Sequence, residues 1–196
     1  MSKEGKTGVT ADTPKNIMFG AGTIHKGLKY TSNAWNFEAT IVGATSGGSK
    51  LSIKPEITNI EVDGALVKAK GLTVKTGETA TMEINFIELT KDIIKAATIG
   101  TDGTSDDVTN YEVIKPKAAI ASGDYWENIA FVGKTLEGKN IIAIMDNALC
   151  TSGFEQEGKN KEGAVGKYTF ECHAELTGDD LDTLPWRIYY PKASAS

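Results

Sequence analysis

Apolar and polar residues alternate most cleanly near the C-terminal end of the chain. Tyr168, Phe170, Cys172, Ala174 and Leu176 fall on one side of the pattern and Thr169, Glu171, His173 and Glu175 on the other. Successive side chains of an extended strand point to opposite faces, so this period of two predicts a half-buried strand over 167–176. The same period runs through 79–89, with Ala80, Met82, Ile84 and Phe86 inward. Its phase slips at Phe86-Ile87, where a bulge or a strand end is expected. Trp35, Phe37, Ala39 and Ile41 alternate with Asn36, Glu38, Thr40 and Val42, which predicts a strand over 35–42. Further strands are expected from Ile17 onward, at 51–62, 125–135 and 139–146, and around Trp186, Ile188 and Tyr190. Residues 141–145 are apolar at every position, the pattern of a strand covered on both faces.

The punctuation between these runs sets the connections. Asp63-Gly64 stands between apolar runs and predicts a hairpin turn that needs positive φ. Thr76-Gly77 predicts a second turn. One short helix is expected over about 90–98: Thr90 can cap the free N–H groups, and Asp92 sits in the first turn at the positive end of the dipole. Leu89 and Ile94 have the spacing of a hydrophobic staple, and Ile93, Ile94 and Ala97 form an apolar stripe. A helix this short does not persist alone in water, so it must lie on a sheet. The Gly-rich stretch Gly43, Ala44, Thr45, Ser46, Gly47, Gly48, Ser49 and Lys50 is expected to be a long loop at the tip of a hairpin joining 35–42 to 51–62. Polar loops are expected at 99–108 and 151–166. Ile-Lys-Pro occurs at 53–55 and reappears at 114–116 before Gly123-Asp124, a hint of two similar hairpins.

Composition narrows the functional classes. Twenty-one glycines against five prolines suit a chain of many turns. The formal net charge is −5, and of the 21 basic residues only Arg187 is an arginine. Such a chain lacks the guanidinium forks that grip phosphates and base edges, so nucleic-acid binding by attraction is not expected. No run approaches the length of a membrane span and the first residues lack the apolar stretch of a secretory signal, so synthesis in a cytosol is expected. Cys150 and Cys172 read as small core residues.

No motif carries chemistry. Gly20-Ala21-Gly22 begins like a dinucleotide fingerprint, but His25 occupies the sixth position and no helical pattern follows. At 43–50 the glycine spacing resembles a phosphate-binding loop, but Ser49 and Lys50 stand in reversed order and Pro55 follows where a helix should open. Asp102, Asp106 and Asp107 do not fit the calcium-loop pattern. His25 has no Cys, His or paired carboxylate at ligand spacing and is expected at the surface, and His173, on the solvent face of its strand between Glu171 and Glu175, has no third ligand near in sequence. Catalytic residues, cofactors and metals are therefore expected to be absent. The chain is expected to form an arm at 1–16, a single β-rich domain over 17–191 and a loose tail at 192–196.

In order and spacing these pieces resemble the major tail tube proteins of long-tailed bacteriophages, particularly non-contractile ones infecting Gram-positive hosts. The resemblance rests on Phe-Gly-Ala-Gly-Thr-Ile at 19–24, the Gly-rich stretch at 42–49, Ile-Glu-Val-Asp-Gly at 60–64, Lys-Gly-Leu at 70–72, Ile-Glu-Leu-Thr-Lys-Asp at 87–92 and Trp-Arg-Ile-Tyr-Tyr-Pro at 186–191. It implies a mainly β fold, a sandwich or half-barrel with one short flanking helix. It implies subunits joined into hexameric rings that stack into a hollow tube, a conduit for tape-measure protein and for DNA. Residues 43–50 would then be the ring-stacking loop and 1–16 an arm on an adjacent ring. The tail terminator and the distal tail or baseplate proteins would be further partners. Implied too are location in the virion tail after synthesis in the host cytoplasm, no membrane contact, and an acidic lumen past which DNA slides without specific binding. The alternative from another class is a β-sandwich adhesin or carbohydrate-binding module, which requires exposed aromatics grouped on one face.

Overall fold

The period-two segments need partners on either side for their backbone groups, and in the computed structural model, which describes residues 8–158, 160–176 and 180–192, they find them in one antiparallel sheet. The chain is mainly β. Its strands are β1 (Met18–Lys26), the short β2 (Tyr30–Thr31) and β3 (Ala34–Trp35), β4 (Thr45–Asn59), β5 (Thr73–Phe86), β6 (Thr101–Gly103), β7 (Val113–Lys115), β8 (Trp126–Thr135), β9 (Asn140–Cys150), β10 (Gly166–Cys172) and β11 (Trp186–Tyr189). Seven of them form the main sheet, in the order β1-β8-β9-β10-β5-β4 with β11 also on β9. One side of β9 pairs with β8, and the other is shared, β11 taking residues 142–145 and β10 residues 148–150. β2 with β3, and β6 with β7, make two small separate ladders.

The inward rows meet in one core. Met82, Ile84 and Phe86 of β5, Tyr168 and Phe170 of β10, Trp126 and Ile129 of β8, and Met145 and Cys150 of β9 are all buried in it. Ile24 of edge strand β1 and Leu51 and Ile53 of the opposite edge strand β4 pack on this same cluster, so the sheet curls around it. Helix α3 (Lys91–Thr98; α1 and α2 are single turns at Thr13–Asn16 and Phe37–Thr40) supplies Ile93, Ala96 and Ala97. Its first turn is held by Ile93 N–H donating to Thr90 Oγ1 (3.4 Å), and it ends at Ile99 in the left-handed region (φ 49°). Ala96 therefore belongs to the buried stripe, and Ile94 lies beside it, half-buried.

The all-apolar stretch at 141–145 has the second covering that its pattern requires. Ala130 and Val132 of β8 and Ile142 and Ile144 of β9 face away from the main core and pack under Leu28, Trp35 and Phe37. Asn128 pins this cover: its Oδ1 accepts from Leu28 N–H (2.9 Å) and its Nδ2 donates to Leu28 O (3.2 Å), all buried. Removing both partners strands two buried backbone groups, so Asn128→Ala is expected to cost about 2–3 kcal/mol, measured by urea unfolding.

Several expectations are corrected. Residues 35–42 do not form a strand; Phe37–Thr40 is a helical turn, leaving a single bridge between Ile41 and His25. The Thr40 hydroxyl donates to Asn36 O (2.9 Å) and Asn36 Oδ1 accepts from Lys29 N–H (2.7 Å), local bonds that compete with a ladder. Thr76-Gly77 is no turn but a bulge inside β5, where Glu56 pairs with Gly77 and Ile57 with Lys75. A Cβ on Gly77 would stand 2.7 Å from the Glu56 carboxylate. β10 stops at Cys172 instead of reaching Leu176, which is 89% exposed. There Asn147, at φ 48°, exchanges hydrogen bonds with His173 and ends the ladder. The suggested second hairpin is absent as well. Gly123-Asp124 lies in a single 3₁₀ turn, closed by Asp124 accepting from Ala121 N–H (2.7 Å).

The expected arm is partly structured over 8–16. Asn16 Oδ1 accepts from the Tyr190 hydroxyl (2.6 Å), so the beginning and the end of the sheet are tied together. The remainder of the arm, 1–7, and of the tail, 193–196, lies outside the described residues.

Candidate functional site

The sequence-derived site residues fall in three separate places. Thr90 caps α3 at the core. The Gly-rich stretch does not form a loop tip: Thr45–Asn59 is continuous edge strand, and Thr45 and Ser49 pair with Phe86 and Ile84. Ser46, Gly47 and Gly48 therefore bulge opposite Asn85, with both glycines at φ +84°, a conformation that lets the strand bulge and re-enter its ladder. Asn85 Nδ2 donates to Gly48 O (3.2 Å), Ala44 N–H donates to Glu88 Oε2 (2.9 Å), and a Cβ on Gly43 would stand 3.5 Å from Glu88. Lys50 joins a cross-strand row, Lys50–Glu83 (3.1 Å) and Glu83–Lys167 (2.5 Å), and these two lysines, Lys167 first, hold the Glu83 carboxyl below its ordinary range. The stretch is thus tied to its own sheet.

The element that does project is the connection between β4 and β5. Asp63 and Gly64 (φ +85°) turn at its end, where Ala65 N–H donates to Val62 O (3.0 Å). The strands themselves close further back, at Ile60 N–H to Leu72 O (2.8 Å), so the turn at Asp63-Gly64 sits beyond the end of the ladder, and residues 65–70 form no ladder. Leu66 is 98% and Val67 80% exposed, and Ile57, Ile60 and Val62 are more than half uncovered. The apolar Ala65-Leu66-Val67 run was readable as a strand arm; no signal in the sequence shows that it stands clear of the other described residues.

Two further surfaces are incomplete. β1 and β4 end the sheet, so among the described residues each has one side without a strand partner. Residues 41–42 cover part of β1, through the His25–Ile41 bridge and Val42 N–H to Ile24 O (3.0 Å), while Phe19 near its start is 72% exposed. A concavity of about 630 Å³ lies between 28–35, the start of β8, the 146–147 bend of β9 and β11. Trp35 is its aromatic centre, with Tyr30 at 5.3 Å and Tyr189 at 5.0 Å between ring centroids. Arg187 pairs with Asp146, and Lys29 with Glu127 (2.6 Å). Trp186 of the same strand donates its indole N–H to Glu78, fastening β11 to β5.

Asp102, Cys150, Cys172 and His25 are each engaged by the fold. Asp102 sits between Lys95 (2.6 Å) and Lys91 (3.1 Å), which keep its carboxyl below the usual range and tie β6 to α3. Cys150 and Cys172 are buried thiols, and desolvation, with the charges of Asp146 and Glu78, pushes Cys172 up to about 12. His25, expected at the surface, is instead buried, between Thr23 Oγ1 (2.7 Å from Nε2) and Thr40 Oγ1 (3.0 Å from Nδ1), which satisfy both ring nitrogens. Because the Thr40 hydroxyl hydrogen is directed at Asn36 O, we assign Nδ1 as the protonated nitrogen.

Desolvation depresses the His25 pKa, and its bond to the Phe37 backbone only partly offsets this. The unfolded chain then takes the proton first as pH falls. Stability is expected to be full above about 6.5 and to fall toward the lowered folded pKa, by at most about 1.4 kcal/mol per pH unit. Thermal unfolding from pH 7.5 to 5.5 checks this, and His25→Gln should show a smaller drop over that window.

Among the described residues no group of three or more His, Cys, Asp or Glu could hold a metal, and no helix is long and apolar enough to cross a membrane. No protein-family model and no curated protein matches the chain.

Proposed function

We propose that this chain is a structural, non-catalytic subunit that assembles with copies of itself into rings, and the rings into a hollow tube, as in the bacteriophage tails its sequence resembles. The observation that carries the reading is the combination, among the described residues, of two sheet ends without strand partners and a projecting connection whose apolar tip is uncovered. Unpaired edges are normally blunted or covered, and here a neighbouring copy supplies the cover. In this reading the curled sheet is the half-barrel unit of the tube wall. The ring-stacking role moves from 43–50 to 60–72, since only the latter projects. The tube would reside in the virion tail and serve as conduit for the tape-measure protein and for DNA, with terminator and distal tail proteins at its ends.

A phosphate-repelling lumen is not retained in the proposal. The face of β4, β5 and β10 turned from the core carries Lys50, Lys54 and Lys167 against Glu56, Glu83 and Glu171, a balance rather than a surplus of acids.

Sedimentation and negative-stain microscopy of the purified protein at rising concentration, with and without a tail-initiator complex, test the reading. Rings or tubes are expected; small monodisperse particles under every condition would refute it. The carbohydrate-binding alternative has one observation in its favour, the grouping of Tyr30, Trp35 and Tyr189. Their rings tilt by 60° and 75° against each other, however, and form no flat platform for a sugar.

A further inference from the structure

We propose that the tip at 66–70 of one copy docks in the aromatic concavity beside β11 of a second copy. The proposal rests on the self-assembly reading and names the acceptor that reading leaves open. Leu66 is 98% and Val67 80% exposed, with no described residue of the chain lying over them, and an uncovered apolar tip of this kind marks an interaction site. The concavity offers an apolar floor at Tyr30, Trp35 and Tyr189, the residue types that anchor protein interfaces.

Charge fixes the direction of docking. The arm approaching Gly64 carries Glu61 and Asp63, whereas the arm leaving it carries Lys68 and Lys70, neither of them in an ion pair among the described residues. The rim of the concavity holds three carboxylates, Glu127, Asp146 and Glu175, against Lys29 and Arg187. Lys29 and Arg187 pair with the first two, which leaves Glu175 the one rim acid without an ion pair among the described residues. Leu66 and Val67 over the aromatic floor would bring the two lysines to that rim, and the same seating by the other arm would set acid against acid. Tip and concavity are different surfaces of one molecule, so the contact is head-to-tail and repeats from copy to copy.

The test is a charge exchange read by light scattering and sedimentation. Lys68→Glu/Lys70→Glu in the tip and Glu127→Lys/Glu175→Lys in the rim are each expected to raise the concentration needed for assembly by roughly tenfold or more. The fourfold variant, and an equimolar mixture of the two double variants, should return it to within about threefold of wild type. All four side chains are exposed, and circular dichroism should show unchanged folding. Double variants that assemble like wild type, or a fourfold variant and a mixture that both stay dispersed, would overturn the docking while leaving self-assembly in place. A wild-type protein that never assembles would overturn both. Retardation of the wild type, but not of Tyr189→Ala, in a gel containing cellohexaose would assign the concavity to sugar and overturn the docking as well.

Discussion

Replacing Phe170 by alanine is expected to lower the free energy of unfolding by about 3–5 kcal/mol, measured by urea denaturation. The ring is 1% exposed and lies 4.6 Å from that of Trp126, centroid to centroid. Its strand is the interior one between β9 and β5, and Phe170 pairs with Cys150 on one side and Met82 on the other. Neighbours held in two ladders cannot move in to fill the space, which puts the cost at the upper part of the range for deleted side chains. The same change at Ile188, 47% exposed on the short β11, serves as contrast and should cost under about 1 kcal/mol. A Phe170→Ala loss no larger than the Ile188→Ala one would mean that the sheet does not curl around this cluster.

Leu66→Asp combined with Val67→Asp is expected to do the reverse: leave unfolding within about 0.5 kcal/mol of wild type and abolish assembly up to the highest concentration reached. In the folded chain these two side chains bury almost nothing, so their loss removes no intramolecular contact worth measuring. In an assembly they would place two carboxylates in an apolar contact, a desolvation cost that nothing there offsets. Equal destabilisation of the monomer would show that the tip folds back on its own chain, and unimpaired assembly would show that 60–72 is not an interface. Microscopy and denaturation of one preparation separate these outcomes.

Much of the sheet was legible because its strands obey a strict period. The inward rows of 80–86 and 168–172 and the double-faced run at 141–145 could be assigned from side-chain alternation alone, as could the capped helix after Thr90. What stayed illegible depended on bonds between residues distant in sequence or on glycine geometry. The alternation at 35–42 is genuine, but Asn36 and Thr40 spend their side chains on nearby backbone and wind the segment into a turn. Glycine pairs are equally at home in loops and in bulges. Only the pairing of Thr45 and Ser49 with β5 shows that 43–50 belongs to an edge. The acceptor concavity was beyond sequence reading altogether, because Tyr30, Glu127, Asp146 and Tyr189 come from four segments brought together by the fold.

The hydrogen bond from Tyr190 to Asn16 has a practical corollary. Because the two ends of the ordered sheet meet, a short linker could join them and the polypeptide could be reopened elsewhere, giving a circular permutant with an intact core. Opening it between Asp63 and Gly64 would turn the projecting tip into a pair of free ends. Cargo attached at residue 16 or at residue 190, by contrast, would emerge from a single patch of the surface, and a label on either would report on the same neighbourhood.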